Sequence, residues 1–229
     1  AHENNHLQLK NIHQLLEQRK SGVFQLKILG ENDEIQSRLF PDPSACRTDI
    51  HAELITEAAT TWLHIGIKPD PHLLVIGGGV DAKPVVSLAR ELGWETTLWD
   101  SRPANARREH FMSANTILEC SVEQLGEYAT EQMVDAAILM SHNIALDAAA
   151  LLALSRNQLK YLGLLGPTSR KQRVIETANL TETNIKSEVV GPAGFDLGGE
   201  LPESIALSMI SECHAHINGY TKGSASRKP

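Results

Sequence analysis

His72-Leu73-Leu74-Val75-Ile76-Gly77-Gly78-Gly79-Val80-Asp81-Ala82 runs from an apolar stretch straight into three glycines. A segment with helical spacing follows to about residue 92. Beyond it, Thr96-Thr97-Leu98-Trp99 reads as a second short strand that ends in Asp100, twenty-one residues after Gly79. Strand, glycine turn, helix, strand and acid is the order of a βαβ unit that seats a phosphate-bearing ligand. Gly77 permits the tight turn, Gly79 lets the backbone approach a phosphate, and the small Ala82 lets helix and strand pack closely. The helix start adds unpaired N–H groups and about +0.5 charge, which suits an anion. Asp100 is placed to accept hydrogen bonds from two ribose hydroxyls, or to stand as a solvated strand end.

Outward from this unit the pattern repeats. Strands are expected at 72–76, 95–99, 113–117, 135–140 and 160–165. Helices are expected near 82–92, 121–128, 145–155, 168–178 and 202–218. Alternation of that kind predicts a Rossmann-like, doubly wound parallel α/β sheet over residues 71–220. The nearly all-apolar Asp135–Met140 run suits a strand covered on both faces. Residues 1–70 read as a small α+β segment. A helix spans 6–20, strands at 23–29 and 34–40 form a hairpin, a helix or loop covers Asp49–Ala59, and a strand covers Thr60–Ile67. Lys68-Pro69-Asp70-Pro71 is a stiff linker and the expected domain boundary. Residues 221–229 read as a loose tail.

Composition narrows the function. A chain of 229 residues, 41% hydrophobic, buries one good core and a small appendage. Its net charge of −7 argues against nucleic acid as a main partner. No run of 18 apolar residues could span a membrane, and the polar first 30 residues do not read as a signal peptide. The opening Ala1, in place of Met, suits a processed or trimmed chain. Cys46, Cys120 and Cys213, odd in number and far apart, fit reduced thiols of a cytoplasmic protein; a lone thiol such as Cys46 reads as inert sooner than as nucleophilic or sulfur-handling.

Further candidates sit at the ends of the expected strands, where a parallel sheet forms its ligand crevice. Ser141-His142-Asn143 follows the fourth strand. There His142 is a candidate proton shuttle or ligand-orienting donor, and Asn143 equally a helix cap. Arg102, Arg107 and Arg108 could hold a second phosphate or form a solvated face. Gly166-Pro167-Thr168-Ser169-Arg170-Lys171 offers either a second anion pocket or a turn and cap. Gly191–Gly199 is a glycine-dense loop whose only charge is Asp196. No metal site is expected: the rings of His214 and His216 point about 200° apart on a helix, and no cysteine pair has zinc spacing. A Gly-x-Ser-x-Gly elbow, a P-loop lysine and a Tyr-x-x-x-Lys pair are all missing from the sequence.

These residues also resemble a known family. Leu74–Ala82, Trp99-Asp100-Ser101-Arg102-Pro103, Met140-Ser141-His142-Asn143, Gly163-Leu164-Leu165-Gly166-Pro167, Gly191–Gly198 and Pro202–Ala206 look in order like the Rossmann domain of XdhC/CoxI accessory factors. The likeness covers about two thirds of the chain. It implies a maturation factor for a molybdenum hydroxylase such as xanthine dehydrogenase. Such a factor binds molybdenum cofactor, as molybdopterin or its cytosine dinucleotide, shelters it during sulfuration, and delivers it to the apoenzyme. The partners so implied are that apoenzyme, a cysteine desulfurase and a second copy of the chain. By this reading Gly77, Gly78, Gly79, Asp81 and Ala82 seat the phosphate and Asp100 and Arg102 hold a polar edge. Ser141, His142, Asn143, Gly166 and Asp196 line the crevice. Two departures stand out: Val80 replaces a histidine common in the family, and the family's N-terminal domain is not recognisable in residues 1–70. The competing reading is an NAD(P)-dependent oxidoreductase, with an interaction domain that has lost its ligand as a third.

Overall fold

The structure is a computed structural model that describes residues 7–28, 35–41 and 52–220. The chain divides into two compact units between Pro69 and Asp70. Cys46, the Gly30–Asp33 turn and the tail from residue 221 lie outside the described residues.

The first unit carries helix α1 (Leu9–Glu17), which buries Leu15, and four antiparallel strands. These are β1 (Gly22–Lys27), β2 (Ser37–Phe40), β3 (Ala52–Glu57) and β4 (Thr60–Ile67), in the order β2-β1-β4-β3. Trp62 on β4 is buried, and the Arg38 guanidinium lies 4.0 Å over its ring, a cation–π contact. Residues 52–57 form a strand, which corrects the expectation of a helix or loop over Asp49–Ala59. The reason lies in the turn. Glu57 pairs with Thr60, so Ala58 and Ala59 make a two-residue hairpin loop with φ of 45° and 64°. That geometry normally calls for glycine or asparagine, and two alanines give no turn signal. Each alanine there bears a left-handed cost of roughly 1 kcal/mol. Ala59→Gly is therefore expected to slow amide hydrogen exchange across β3 and β4 about fivefold. Unchanged exchange would show that the turn is unstrained.

The second unit begins with β5 (His72–Ile76), α2 (Ala82–Glu91), β6 (Glu95–Trp99) and β7 (Thr116–Ile117). A 3₁₀ turn at Val122–Gln124 leads into α3 (Leu125–Glu131), followed by β8 (Ala136–Leu139) and α4 (Ile144–Leu154). Then come β9 (Tyr161–Leu164), α5 (Thr168–Thr177), β10 (Val189–Val190) and α6 (Pro202–Ile217). The six strands are all parallel, in the order β10-β9-β8-β5-β6-β7. This is the doubly wound Rossmann order, with its switch point between β5 and β8. Period-two alternation divides the core. Leu73 and Val75 pack with Val85, Val86 and Ala89 of α2 and Met209 and Ile210 of α6. Leu74 and Ile76 pack with Leu125 of α3, Leu151 and Leu154 of α4, and Val174 of α5. The four apolar residues of β5, Leu73–Ile76, are fully buried, each stabilising the sheet by roughly 2 kcal/mol. With helices on both faces, the C-terminal strand ends are left to form the crevice.

Three elements differ from expectation. The helix expected near 121–128 opens as a 3₁₀ turn and becomes α-helical only over Leu125–Glu131. The 113–117 strand contracts to Thr116–Ile117, because Arg108 reaches over to the carbonyls of Ala114 and Asn115 and holds that segment as a turn. Edge strand β10 is too short to show an apolar pattern.

Candidate functional site

The glycine turn after β5 is closed at two positions and open at the third. Gly77, at φ 110°, donates to the Trp99 carbonyl at 2.7 Å, and a Cβ on it would lie 2.5 Å from Ser141 Cα. Gly78 donates to Asp100 Oδ2 at 2.9 Å, and a Cβ there would collide with the Asn105 carbonyl oxygen. A Cβ on Gly79, by contrast, would meet only His142 Cδ2, at 3.7 Å. The N–H groups of Gly79, Val80 and Asp81 donate to no acceptor among the described residues, whereas Ala82 and Lys83 already bond back to Gly79 and Val80. Ala82 is fully buried against β5, as the close packing of helix and strand demands. Three free amides at the start of α2 form the part of the turn that fits an anion.

Asp100 has a different task from the ribose acceptor expected of it. Its Oδ1 accepts from the N–H and Nε of Arg102, both at 2.8 Å. Its Oδ2 accepts from Gly78 N–H, from Arg102 Nη2 at 2.8 Å and from Asn105 Nδ2 at 3.2 Å. The carboxylate is fully buried, and its lone pairs are spent on the chain itself. It fastens the Ser101–Asn105 loop over Gly78. Burial alone would raise its pKa, but the hydrogen bonds from Arg102, Gly78 and Asn105 outweigh it and hold the group at about 2. A carboxylate depressed in this way stabilises the fold above its unfolded pKa near 4, and that stability is lost as pH falls through about 2. The stability difference between the native chain and Asp100→Asn is expected to shrink by about 1–2 kcal/mol between pH 5 and pH 2. Urea titrations at several pH values measure it, and a gap independent of pH would contradict the arrangement.

A second network lies on the far side of the switch point. Ser141, just after β8, directs its hydroxyl to Asp147 Oδ1 at 2.6 Å, and Arg170 Nη2 meets Asp147 Oδ2 at 2.5 Å. Asp147 is fully buried on α4. Arg102 Nη2 reaches the Ser141 carbonyl at 3.3 Å, which links the two networks across β5. Sequence reasoning passed over Asp147. Its signal was a lone acid in the otherwise apolar Ile144–Leu154 helix.

The remaining candidates divide. His142 sits at the mouth of the turn with Nε2 2.9 Å from Asp81 Oδ2. Asn143 caps α4, accepting from Leu146 N–H at 3.1 Å. Arg107 pairs with Glu109 and Arg108 binds backbone carbonyls, so they do not converge with Arg102 on a shared phosphate position. The Gly166–Lys171 segment forms a turn and helix start in place of a second anion pocket. Gly166, at φ 116°, lies under Arg170, and both cations are held by carboxylates, Arg170 by Asp147 and Lys171 by Glu182.

Asp196 stands apart, exposed on the glycine-rich loop after β10. That loop and the start of α6 line a cleft of about 600 Å³, including Phe195, Gly198, Gly199, Ser204 and Ser208. Buried Glu212 anchors the loop, accepting from Gly194 N–H at 2.6 Å and from the Tyr161 hydroxyl at 2.9 Å. Three strand spacings, about 14 Å, separate β10 from β5, and the glycine-rich loop leaves β10 at the same end of the sheet as the turn leaves β5. The thiols offer little chemistry: burial pushes those of Cys120 and Cys213 up, so both stay protonated. Among the described residues no cluster of three or more His, Cys, Asp or Glu could hold a metal ion, and no helix is long and apolar enough to cross a membrane.

Comparison with known proteins agrees with this geometry. The model of the XdhC Rossmann domain matches residues 73–213. The chain belongs to that family. A protein of Bacillus subtilis (strain 168) described as a probable subunit of xanthine dehydrogenase is 31% identical over 146 residues, covering 64% of this chain and 43% of the relative. The uncharacterized protein YqeB of Escherichia coli (strain K12) is 27% identical over 146 residues, covering 62% of this chain and 26% of its own length. The chain thus spans less than half the length of these two relatives. A crystal structure described as a xanthine dehydrogenase from Bacillus halodurans superposes with a TM-score of 0.70. It covers 95% of this chain and 66% of that one, and at 22% identity the likeness speaks for the fold alone.

Proposed function

We propose that the chain is an accessory factor for a molybdenum hydroxylase such as xanthine dehydrogenase. In this reading it binds molybdenum cofactor and assists its sulfuration and its insertion into the apoenzyme. The observation that carries the reading is the opening at Gly79: three free amides at a Rossmann switch point, in a chain of the XdhC Rossmann domain family. The phosphate or pyrophosphate of the cofactor sits on those amides. The cofactor's long body extends along the strand ends toward the glycine-loop cleft. Sulfur comes from a partner such as a cysteine desulfurase, since Cys213 is buried, Cys120 is half-buried, and desolvation pushes both thiols up. A homodimer in the cytoplasm completes the proposal.

The NAD(P)-dependent alternative is weaker here, because Asp100 has no lone pair left for a ribose hydroxyl. Calorimetric titration with NAD, CMP, molybdopterin and molybdopterin cytosine dinucleotide separates the two. The expected result is tightest binding of a molybdopterin. Tight binding of NAD alone, with turnover of an alcohol or aldehyde, would overturn the proposal.

A further inference from the structure

We propose that the glycine turn takes up its anion together with a proton, received at Nδ1 of His142, so that binding is linked to pH. The inference deepens the anion-binding reading above and rests on it. The argument starts at Pro84. An aspartate at a helix N-cap ordinarily accepts the N–H of the second or third helical residue. In α2 the third residue is Pro84, which has none, and the second, Lys83, is already bonded to Val80; Asp81 makes no side-chain cap. Its carboxylate is therefore released from the helix and meets His142 Nε2 at 2.9 Å.

That contact fixes the ring. A carboxylate accepts, so Nε2 carries the hydrogen and the neutral imidazole keeps its basic lone pair on Nδ1. The Nε2–Cδ2 edge faces the turn, since Cδ2 is the atom that a Cβ on Gly79 would approach. Nδ1 is the vertex opposite that edge. It makes no hydrogen bond among the described residues, and the side chain is 58% exposed, so water can deliver a proton there. The backbone of His142 lies in the left-handed region at φ 58°, between two residues tied together through Ser141 Oγ.

Charge supplies the driving force. The groups around His142 are Asp81 from the start of α2, Asp100 with Arg102 from the loop after β6, and Asp147 with Arg170 from α4 and α5. The last two pairs are each neutral within themselves. Asp81 is left as an uncompensated negative charge at the mouth of an anion site. An arriving phosphate adds its charge to that one, and a proton taken up by the ring offsets the addition. Protonation brings the Asp81–His142 pair to zero, and the phosphate then sits beside a neutral pair on the three amides. One proton passes from solvent to Nδ1 and no covalent bond changes.

The test uses the whole chain with NAD and CDP-choline, whose pyrophosphate diesters hold constant charge between pH 6 and 8. Calorimetry at pH 7.5 in buffers of contrasting ionisation enthalpy counts the protons. Uptake of about half a proton or more per site is expected, with affinity falling about fivefold or more from pH 6.5 to 8. His142→Asn, chosen because asparagine tolerates left-handed backbone, is expected to abolish uptake and confine the pH effect to less than about twofold. Asp81→Asn is expected to raise affinity several-fold at pH 8. Binding of either probe without proton uptake, or uptake that survives in His142→Asn, overturns this inference and leaves the anion-binding reading standing. Where only molybdopterin cytosine dinucleotide binds, whose pyrophosphate is also a diester, the same proton count on it decides. Failure of all three to bind the native chain at any pH overturns that reading, and the inference with it.

Discussion

Gly79→Val is expected to lower affinity for a phosphate-bearing ligand at least about 100-fold while leaving the melting temperature nearly unchanged. The two halves of that expectation come from the same observation. A side chain at this position projects into open space, with only His142 Cδ2 within van der Waals distance, so the fold has little reason to object. The same open space is where a phosphate must come close to the amides of Gly79, Val80 and Asp81, and a branched side chain excludes it. A 100-fold loss corresponds to about 2.7 kcal/mol. Calorimetry and thermal unfolding on one preparation measure both halves. Undiminished affinity in a folded variant would place the ligand elsewhere. Gly78→Ala provides the contrast: its Cβ would collide with the Asn105 carbonyl, so it is expected to destabilise the protein before binding can be asked about.

Asp147→Ala carries the largest expected effect on stability, about 3–5 kcal/mol. The carboxylate is fully buried and bonds to the Ser141 hydroxyl, the Ser141 N–H and the Arg170 guanidinium. Its removal leaves the largely buried Arg170 cation and the buried Ser141 N–H without their acceptor, and each omission is costly in low dielectric. Asp147→Asn keeps the shape and part of the hydrogen bonding, so it is expected to cost less. Urea unfolding of the two variants checks the order. Equal and small losses in both would mean that the network contributes little.

What could be read from the sequence follows from how each feature is encoded. The glycine turn and β5 were legible because a strand buried on both faces requires an unbroken apolar run, and Leu73–Ile76 supplies one. Helices α2, α4, α5 and α6 were legible by length and spacing. β10 and the true extent of β7 were not, since two residues cannot display a period. β3 was hidden by a turn of two alanines in glycine-like geometry. At the site, Gly79 could be placed from its motif position, whereas the inward commitment of Asp100 depends on Arg102 and Asn105 folding back onto it. The short Asp100-Ser101-Arg102 spacing allowed that contact without requiring it. The Asp81–His142 pair joins residues 61 positions apart, and only the parallel sheet brings them together.

The two outermost strands of the six-stranded sheet, β7 and β10, are two residues each. A foreign strand seeking to extend the ladder would find too few backbone groups in line to hold it, on either rim. Recruitment of this domain by another protein must then proceed through side-chain surfaces and loops, which can be reshaped by point substitution. Backbone zippering, which is indifferent to sequence, is denied. A sheet built this way carries little hazard of fibrous self-assembly along its rims.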